Sequence, residues 1–255
     1  MTSAHHAIGI DIGGTGIKGG VVDLASGELI SERIKLPTPH GGTPDDIVAT
    51  TAQILQTLTE QAADVPMGIC FPAIIKNGVT LSAANISHKW IGLEAEKLFE
   101  KSLGHPIRFL NDADAAGYAE VTFGAAQNVD GLVIVTTLGT GIGSALIYNG
   151  TLIPNAELGH LEIDGKDAES QAAYSAKDRE DLSWEKWSHR LQKYYSRLEF
   201  LFSPDLFIVG GGVSKNADDF LPLLDLKTKI VPAAYGNNAG ILGAAAFTQV
   251  ESAAR

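Results

Sequence analysis

The sequence predicts an α/β protein in which two lobes of similar topology enclose a cleft, and two observations carry that prediction. A β-hairpin with a glycine-rich turn, followed by alternating helices and strands, occurs near residue 11 and again near residue 139. The chain of 255 residues is also long enough for one large domain or two lobes. We expect a small lobe of residues 1–113 with 240–255, and a large lobe of residues 114–239.

Signals for turns and caps place the elements of the first half. Thr43 is expected to cap a helix that begins with Pro44 and two acidic residues. A second helix is expected near Leu93–Leu103, and a hairpin turn at Asn77-Gly78. The strands expected in this half are Ala7–Ile10, Ile17–Val22, Glu28–Leu36, Met67–Phe71 and Ile107–Leu110.

The second half repeats the alternation. Ser183 is expected to cap a long helix whose aromatic stripe, from Trp184 to Phe202, is either core or a dimer surface. Residues 155–180 are polar and lack periodicity, so we interpret them as a functional loop region. The strands expected here are Leu132–Leu138, Ser144–Tyr148 and Leu206–Val209, and an alanine-rich helix closes the chain at Asn238–Val250.

Composition excludes several classes of protein. The net charge of −11 argues against nucleic acid as the main partner. No apolar run approaches the ~20 residues of a membrane-spanning helix, and the first six residues are too polar for a secretory leader. The single cysteine, Cys70, lies in a strand-like run and indicates a buried small side chain rather than a nucleophile. We expect a cytoplasmic protein.

The first glycine-rich turn is suited to bind phosphate. It reads Asp11-Ile12-Gly13-Gly14-Thr15-Gly16-Ile17-Lys18 and joins two strands. Glycine permits positive φ and leaves no Cβ to block a phosphoryl group, and successive N–H groups form an anion-binding concavity. Asp11, at the strand end, is suited to hold a hydrated Mg²⁺. A tight turn without a ligand is the alternative.

The second turn, Leu138-Gly139-Thr140-Gly141-Ile142-Gly143, has the same design. Neither turn matches GxxxxGK[ST] or a GxGxxG that opens a helix. Because each joins two strands, the pair indicates the phosphate-binding style of actin, hexokinase and heat-shock ATPases, with one polyanion held from both sides. A third turn, Gly210-Gly211-Gly212, fits a phosphate chain or a nucleotide, and fits a plain strand-to-helix turn equally well.

Two polar pairs are candidates for the chemistry. Phosphoryl transfer to a hydroxyl needs a carboxylate within hydrogen-bond reach, and Asp112 is placed to be that base, with Asn111 orienting the acceptor. The alternative is that Asn111 and Asp112 only cap a helix. Glu157 and His160 are three residues apart and suit a sugar. A surface pair, or half of a metal site that no nearby cysteine completes, are the alternatives.

Taken together and in order, these motifs resemble the ROK family of sugar kinases over essentially the whole chain. The resemblance implies a ribonuclease-H-like, two-lobed fold of the actin and hexokinase ATPase type, Mg²⁺, a homodimer, and phosphorylation of a hexose at its 6-hydroxyl. It implies Asp112 as catalytic base, itself also in contact with the sugar. The further sugar-binding residues implied are Asn85, Asn111, Glu157, His160 and Glu169. The phosphate-binding residues expected are Asp11, Gly13, Gly14, Thr15, Gly16, Lys18, Gly139, Thr140, Gly141, Gly211 and Gly212.

One departure from the family pattern is informative. ROK members commonly carry a zinc-binding CxCGxxGC block after the Glu-x-x-His, with that histidine as the fourth ligand. Residues 161–169 contain no cysteine, so no structural zinc is expected and His160 is left to the sugar. This cysteine-free version resembles family members that transfer the terminal phosphoryl of inorganic polyphosphate to glucose, some of which also accept ATP and mannose.

Other readings remain open at this point. A strictly ATP-dependent ROK glucokinase, a sugar-sensing regulator that does not bind DNA, and an actin-type ATPase share the same turns. The charge of −11 argues mildly against a polyanionic donor, so a local basic track is expected. Its candidate residues are Lys18, Lys89, Lys215, Lys227 and Lys229.

Overall fold

The computed structural model describes residues 5–60, 62, 65–83 and 86–250. Its strands are β1 His6–Ile12, β2 Gly16–Asp23, β3 Glu28–Leu29, β4 Ile34–Pro37, β5 Met67–Phe71, β6 Ile75–Lys76, β7 Val79–Thr80, β8 Ile107–Asn111, β9 Leu132–Leu138, β10 Ile142–Tyr148, β11 Thr151–Ile153, β12 Glu162–Ile163, β13 Lys166–Asp167, β14 Leu206–Gly210 and β15 Lys229–Pro232. Its α-helices are α1 Pro44–Thr59, α2 Ala95–Leu103, α3 Asp112–Phe123, α4 Ala168–Ala172, α5 Tyr174–Arg179, α6 Trp184–Phe202, α7 Ala217–Phe220 and α8 Ala239–Phe247.

The chain divides into two compact units. The first consists of Met1–Ala119 with Asn238–Arg255, and the second of Glu120–Asn237. The division predicted after residue 113 falls within the first turn of α3.

The first unit is built on a six-stranded mixed sheet. Its order is β3-β2-β1-β5-β8, with β4 also paired to β2. β1 and β2 form an antiparallel hairpin, whereas β1, β5 and β8 are parallel. On one side of this sheet lies an aromatic cluster in which Trp90 is fully buried and its ring is 4.5 Å from that of Phe71.

Helix α8 lies directly against β1 and β5 because glycines allow its backbone to approach. A Cβ on Gly68 would lie 1.8 Å from the carbonyl oxygen of Ala244, and one on Gly9 would lie 1.9 Å from that of Ile241. Real Cβ atoms never come that close to backbone oxygen. A side chain at either position would therefore displace the helix.

The second unit repeats the design. Its five-stranded sheet has the order β11-β10-β9-β14-β15. β9 and β10 form an antiparallel hairpin, and β9, β14 and β15 are parallel. The repeated pattern of a glycine-turn hairpin joined to parallel strands is therefore confirmed in both units.

The predicted helix starts are confirmed. Thr43 accepts a hydrogen bond from the Asp46 N–H at the start of α1, and Ser183 accepts one from Lys186 at the start of α6. Most of the α6 stripe is core, since Trp187, Tyr194 and Leu198 are buried, but Phe200 is 78% exposed.

Two predictions about secondary structure were wrong. The strand expected over Glu28–Leu36 is two short strands, β3 and β4, because the Ser31 hydroxyl replaces a backbone acceptor and takes the Val21 N–H at 2.9 Å. Residues 155–180 are not a loop region: they contain the β12–β13 hairpin and the helices α4 and α5. The hairpin turns at Asp164-Gly165, where both residues have positive φ.

Candidate active site

In the first unit, the candidate site includes the turn between β1 and β2. The Gly13 N–H donates to the Gly16 carbonyl at 3.1 Å, which closes the turn. Gly14 and Thr15 are exposed at its tip, and their N–H groups have no partner among the described residues. The Thr38 hydroxyl, directly after β4, donates to the Gly13 carbonyl and braces the turn. Two adjacent N–H donors at the exposed tip are therefore available to an anion.

The glycines of the two hairpin turns do not use the positive φ that glycine permits. None of the glycines in either turn has a positive φ. What glycine supplies here is the missing Cβ, and a Cβ on Gly139 would meet nothing within 4 Å. Gly139 therefore faces open space, whereas Gly141 lies against Glu169, whose Oε2 would be 2.3 Å from an added Cβ.

Asp11 lies directly across the hairpin from Lys18, in the register of the β1–β2 pair. Its Oδ2 accepts from the Lys18 Nζ at 2.8 Å, and its Oδ1 is 3.7 Å from the Cys70 Sγ. Cys70 is buried as predicted, and burial raises the pKa of its thiol well above the usual value, with Asp11 and Asp112 adding to the shift. The thiol is therefore inert.

The carboxylate of Asp11 suits a metal ion that the protein holds only weakly. Among the described residues no three His, Cys, Asp or Glu side chains cluster closely enough to cage a metal. One half-buried carboxylate, that of Asp11, is what an ion such as Mg²⁺ needs when water and substrate phosphates supply the remaining ligands.

Asn111 and Asp112 lie where β8 ends and α3 begins. Asn111 is 8% exposed, and its Oδ1 accepts from the N–H groups of Ala113 at 2.8 Å and Asp114 at 3.0 Å. Its Nδ2 donates to the Ala73 carbonyl at 3.0 Å. The capping role is thus confirmed for Asn111. Among the described residues its Nδ2 has this one acceptor, so a second hydrogen is available to a ligand.

Asp112 is the first residue of α3 and is half-buried. Its Oδ1 accepts from the Ala113 N–H at 2.9 Å. A carboxylate at a helix N-terminus is stabilised by the helix dipole, and the backbone bond fixes the direction of its carboxyl group. Asn85, predicted to contact the sugar from the same unit, lies outside the described residues.

In the second unit, the second hairpin turn is braced from two helices. Gly139 N–H donates to the Gly141 carbonyl at 3.0 Å. The Ser175 N–H and hydroxyl, at the start of α5, donate to the carbonyls of Gly139 and Thr140. Glu169 of α4 accepts from the Ile142 N–H at 2.7 Å. Glu169, predicted as a sugar residue, therefore also supports the turn.

Gly211 brings the third glycine turn against the second. It has φ +84°, and a Cβ there would lie 2.4 Å from the Leu138 carbonyl oxygen, so only glycine fits. Gly212 begins a short 3₁₀ turn, Gly212–Asn216, that contains Lys215. The structure thus places Gly211 beside the end of β9, where the second hairpin turn begins.

Glu157, His160 and Glu169 form one electrostatic group. Ser144 of β10 positions the segment, because its hydroxyl donates to the Ala156 carbonyl at 2.6 Å and accepts from the Leu158 N–H at 2.9 Å. Burial raises the pKa of Glu157, and the Glu169 carboxylate adds to that rise while His160 opposes it. The predicted sugar-side residues of this unit therefore lie together.

Sequence reasoning missed three residues that support the site: Thr38, Ser175 and Asp167, whose Oδ2 lies 2.8 Å from the His160 Nδ1. Thr38 and Ser175 act through hydrogen bonds of their hydroxyl groups, which no sequence pattern predicts. Asp167 follows an Asp-Gly hairpin turn and precedes a helix, so a capping residue could have been expected there.

No helix within the described part of the chain is long and apolar enough to cross a membrane.

Comparison with known proteins identifies the family of the chain. A sequence profile of the ROK family matches residues 7–176. The chain therefore belongs to the ROK family, whose members include sugar kinases of α/β, ribonuclease-H-like fold, and that predicted fold class is confirmed. Kinases of this family use a divalent metal in general.

Individual relatives are more informative than the family profile. The chain is 48% identical over 245 residues to the polyphosphate glucokinase of Mycobacterium tuberculosis. The matched region covers 96% of this chain and 91% of that protein. It is also similar to the inorganic polyphosphate/ATP-glucomannokinase of Arthrobacter sp. strain KM, with TM-score 0.91, 53% identity, and coverage of 95% and 98% of the two chains. A ROK glucokinase of Streptomyces griseus, solved with glucose and AMPPNP, matches with TM-score 0.78 and 26% identity. The match covers 94% of this chain and 98% of that chain.

Proposed function

We propose that this protein is a polyphosphate glucokinase, which transfers the terminal phosphoryl group of inorganic polyphosphate to the 6-hydroxyl of glucose. The observation that carries the proposal is the 48% identity to a polyphosphate glucokinase over 96% of the chain. The geometry supports it, because two turns offer available N–H donors or an open glycine position and a carboxylate stands at the end of β8.

In the proposed reaction Asp112 accepts the proton of the glucose 6-hydroxyl. The hydroxyl oxygen forms a bond to the terminal phosphorus, the bridging P–O bond breaks, and polyphosphate leaves one phosphate shorter. Asp11 would hold Mg²⁺, which supplies charge neutralisation on the phosphates when bound.

The other residues bind and orient. We assign the phosphates to the N–H groups of the two hairpin turns and of the Gly211-Gly212 turn, with Thr15 and Lys18 beside the first of them. The Lys18 ammonium, already paired with Asp11, contributes positive charge at that turn. The sugar is assigned to Asn85, Asn111, Asp112, Glu157, His160 and Glu169.

The proposal also includes a second phosphoryl donor and a second sugar acceptor. Backbone N–H groups bind the end of ATP and the end of a polyphosphate chain in the same way, so we include ATP as a second donor. Mannose is included as a second acceptor because a solved relative at 53% identity is named a polyphosphate/ATP-glucomannokinase. The absence of zinc and the cytoplasmic location stay predictions.

Coupled assays test the proposal directly. Glucose and mannose are each offered with polyphosphate and with ATP, in Mg²⁺ and after chelation. We expect turnover with glucose and polyphosphate that chelation abolishes. Turnover with ATP alone would make the protein an ATP-dependent glucokinase. Sugar binding without turnover would favour the regulator, and hydrolysis without sugar would favour the ATPase.

We also propose a homodimer. Phe200, 78% exposed, and Leu201, 47% exposed, lie on α6 of the second unit, and exposed large apolar side chains of this kind commonly mark an interface. Sedimentation velocity checks this: the expected species has twice the mass of one 26.9 kDa chain, and a monomer at all micromolar concentrations would contradict it.

A further inference from the structure

His160 is held by a carboxylate that follows it on the β12–β13 hairpin. Its Nδ1 lies 2.8 Å from the Oδ2 of Asp167. The hairpin returns the chain so that Glu162 pairs with Asp167, and the Ala168 N–H donates to the Leu161 carbonyl at 2.9 Å. The short hairpin thereby fixes where Asp167 stands relative to the end of the Leu158–His160 turn.

Asp167 uses both of its carboxylate oxygens. Its Oδ1 accepts from the Ser170 N–H at 3.1 Å and caps α4, while its Oδ2 faces His160. The cap locks the side chain, so that the second oxygen is presented in one direction. The same short helix carries Glu169, another proposed sugar residue.

The pair contributes little to the stability of the fold. The side chains of His160 and Asp167 are 58% and 42% exposed, and exposed ion pairs are screened by water and salt. What such a pair can fix is the orientation and the proton position of the imidazole ring.

We propose that Asp167 is a positioning residue for sugar binding, which holds His160 with its proton on Nδ1 and presents Nε2 to a sugar hydroxyl. This inference deepens the proposed function and rests on it. Because an ionised carboxylate only accepts hydrogen bonds, the nitrogen facing it must carry the hydrogen. In the neutral ring Nε2 is then an acceptor.

The electrostatics of the surrounding groups favour the hydrogen bond between His160 and Asp167. The hydrogen bond to Asp167 raises the pKa of His160, and the carboxylates of Glu169 and Glu157 add to the rise. Burial works to raise the pKa of Asp167, but the bonds from His160 and Ser170 outweigh it, and that pKa is lowered. Asp167 is therefore an anion, which only accepts hydrogen bonds.

Two variants separate the cap from the histidine bond. Asp167→Ser keeps a side chain that caps helices well but is too short to reach His160. Asp167→Asn keeps both size and cap, but its amide turns an N–H toward Nδ1, which reverses the roles of the two ring nitrogens. The control is Asp164→Asn, which removes a carboxylate of the same hairpin whose partner is Lys193.

The first readout is the ¹⁵N spectrum of the histidine rings, with His160→Gln used to identify the His160 signal among the seven histidines. The spectra are recorded at a pH above the raised pKa of His160, where the ring is neutral. We expect the Nδ1-protonated form in the wild type and in Asp164→Asn, its loss in Asp167→Ser, and the Nε2-protonated form in Asp167→Asn. Melting temperatures of all variants should stay close to that of the wild type.

The second readout is kinetic. Losing the carboxylate partner of a metal-binding histidine typically costs 10–100-fold in metal affinity or activity. For a sugar-binding histidine we take the lower end of that range and expect KM for glucose to rise about tenfold in Asp167→Ser and Asp167→Asn. The change should fall on KM rather than kcat, because the interaction lost serves binding. Calorimetric titration with glucose alone should show the same loss.

The outcomes distinguish this inference from the proposed function. A wild type without phosphotransfer to glucose contradicts the proposed function, whatever the ring spectrum shows. An unchanged ring spectrum in Asp167→Ser, or an unchanged glucose affinity in both variants of an active enzyme, overturns the role of Asp167.

Discussion

Replacing Asp112 with asparagine is expected to lower kcat for glucose phosphorylation by about 10²–10⁴-fold, the usual worth of a general base. Asparagine has the same size and its Oδ1 can still accept the Ala113 N–H that Asp112 accepts at 2.9 Å. The amide cannot take the proton of the 6-hydroxyl. Steady-state rates at saturating glucose and polyphosphate measure the loss, and calorimetry should show that glucose still binds.

The matched control for this prediction is Asp45→Asn. Asp45 is also an aspartate in the first turn of a helix, α1, and is exposed. Its replacement removes a similar favourable interaction with a helix dipole and should leave kcat unchanged. Retained turnover in Asp112→Asn, or an equal loss in the control, would contradict the assignment of Asp112 as the base.

Replacing Gly68 with alanine is expected to cause a large loss of stability for a single added methyl group. The new Cβ would lie 1.8 Å from the Ala244 carbonyl oxygen and 2.5 Å from its carbon. Both atoms belong to the backbone of α8 and cannot rotate away, so the helix or β5 must shift. Overpacking of this kind typically costs about 1–3 kcal/mol or more, and urea or thermal unfolding monitors it.

Gly210→Ala is the control, because Gly210 also lies in a parallel strand, β14, without a positive φ. The nearest atom to its added Cβ would be the Ala233 Cβ at 3.5 Å, an ordinary contact. Its stability should change by less than about 1 kcal/mol. If both alanine variants unfold at the wild-type midpoint, helix α8 does not lie as closely on β5 as described.

The two hairpins could be predicted from sequence because each depends on local patterns. An apolar strand, a run of glycines and a second strand are readable without knowledge of the rest of the chain. Capping at Thr43 and Ser183 was equally local. The parallel pairing of β1 with β5 depends on contacts between residues far apart in the chain, and only the alternation of elements suggested it.

The chemistry at the end of β8 could not be decided from sequence. Asn111 was given two alternative roles, helix cap or sugar ligand, and its amide has enough donors and acceptors for both. Glu169 likewise accepts a hydrogen bond from the Ile142 N–H and is also a proposed sugar-binding residue. Spacing shows which residues come near a site, but the number of hydrogen bonds each one already makes is a property of the folded chain.

The segment 155–180 was misread for a different reason. Its elements are two to six residues long, too short to show a period of two or of 3.6. The sequence signal for a hairpin there is the Asp164-Gly165 dipeptide, which is typical of a two-residue turn and has positive φ at both residues in the structure.

The position of α8 has a consequence for the order of folding during synthesis. The helix covers the face of the first sheet where Cys70 and Leu110 pack with Ala244, yet it comes from residues made after the whole of Glu120–Asn237. A ribosome releases the chain from its N-terminus, and domains fold as their residues emerge. The second unit can therefore be complete while the first still exposes an apolar face, so the unit that is begun first is finished last.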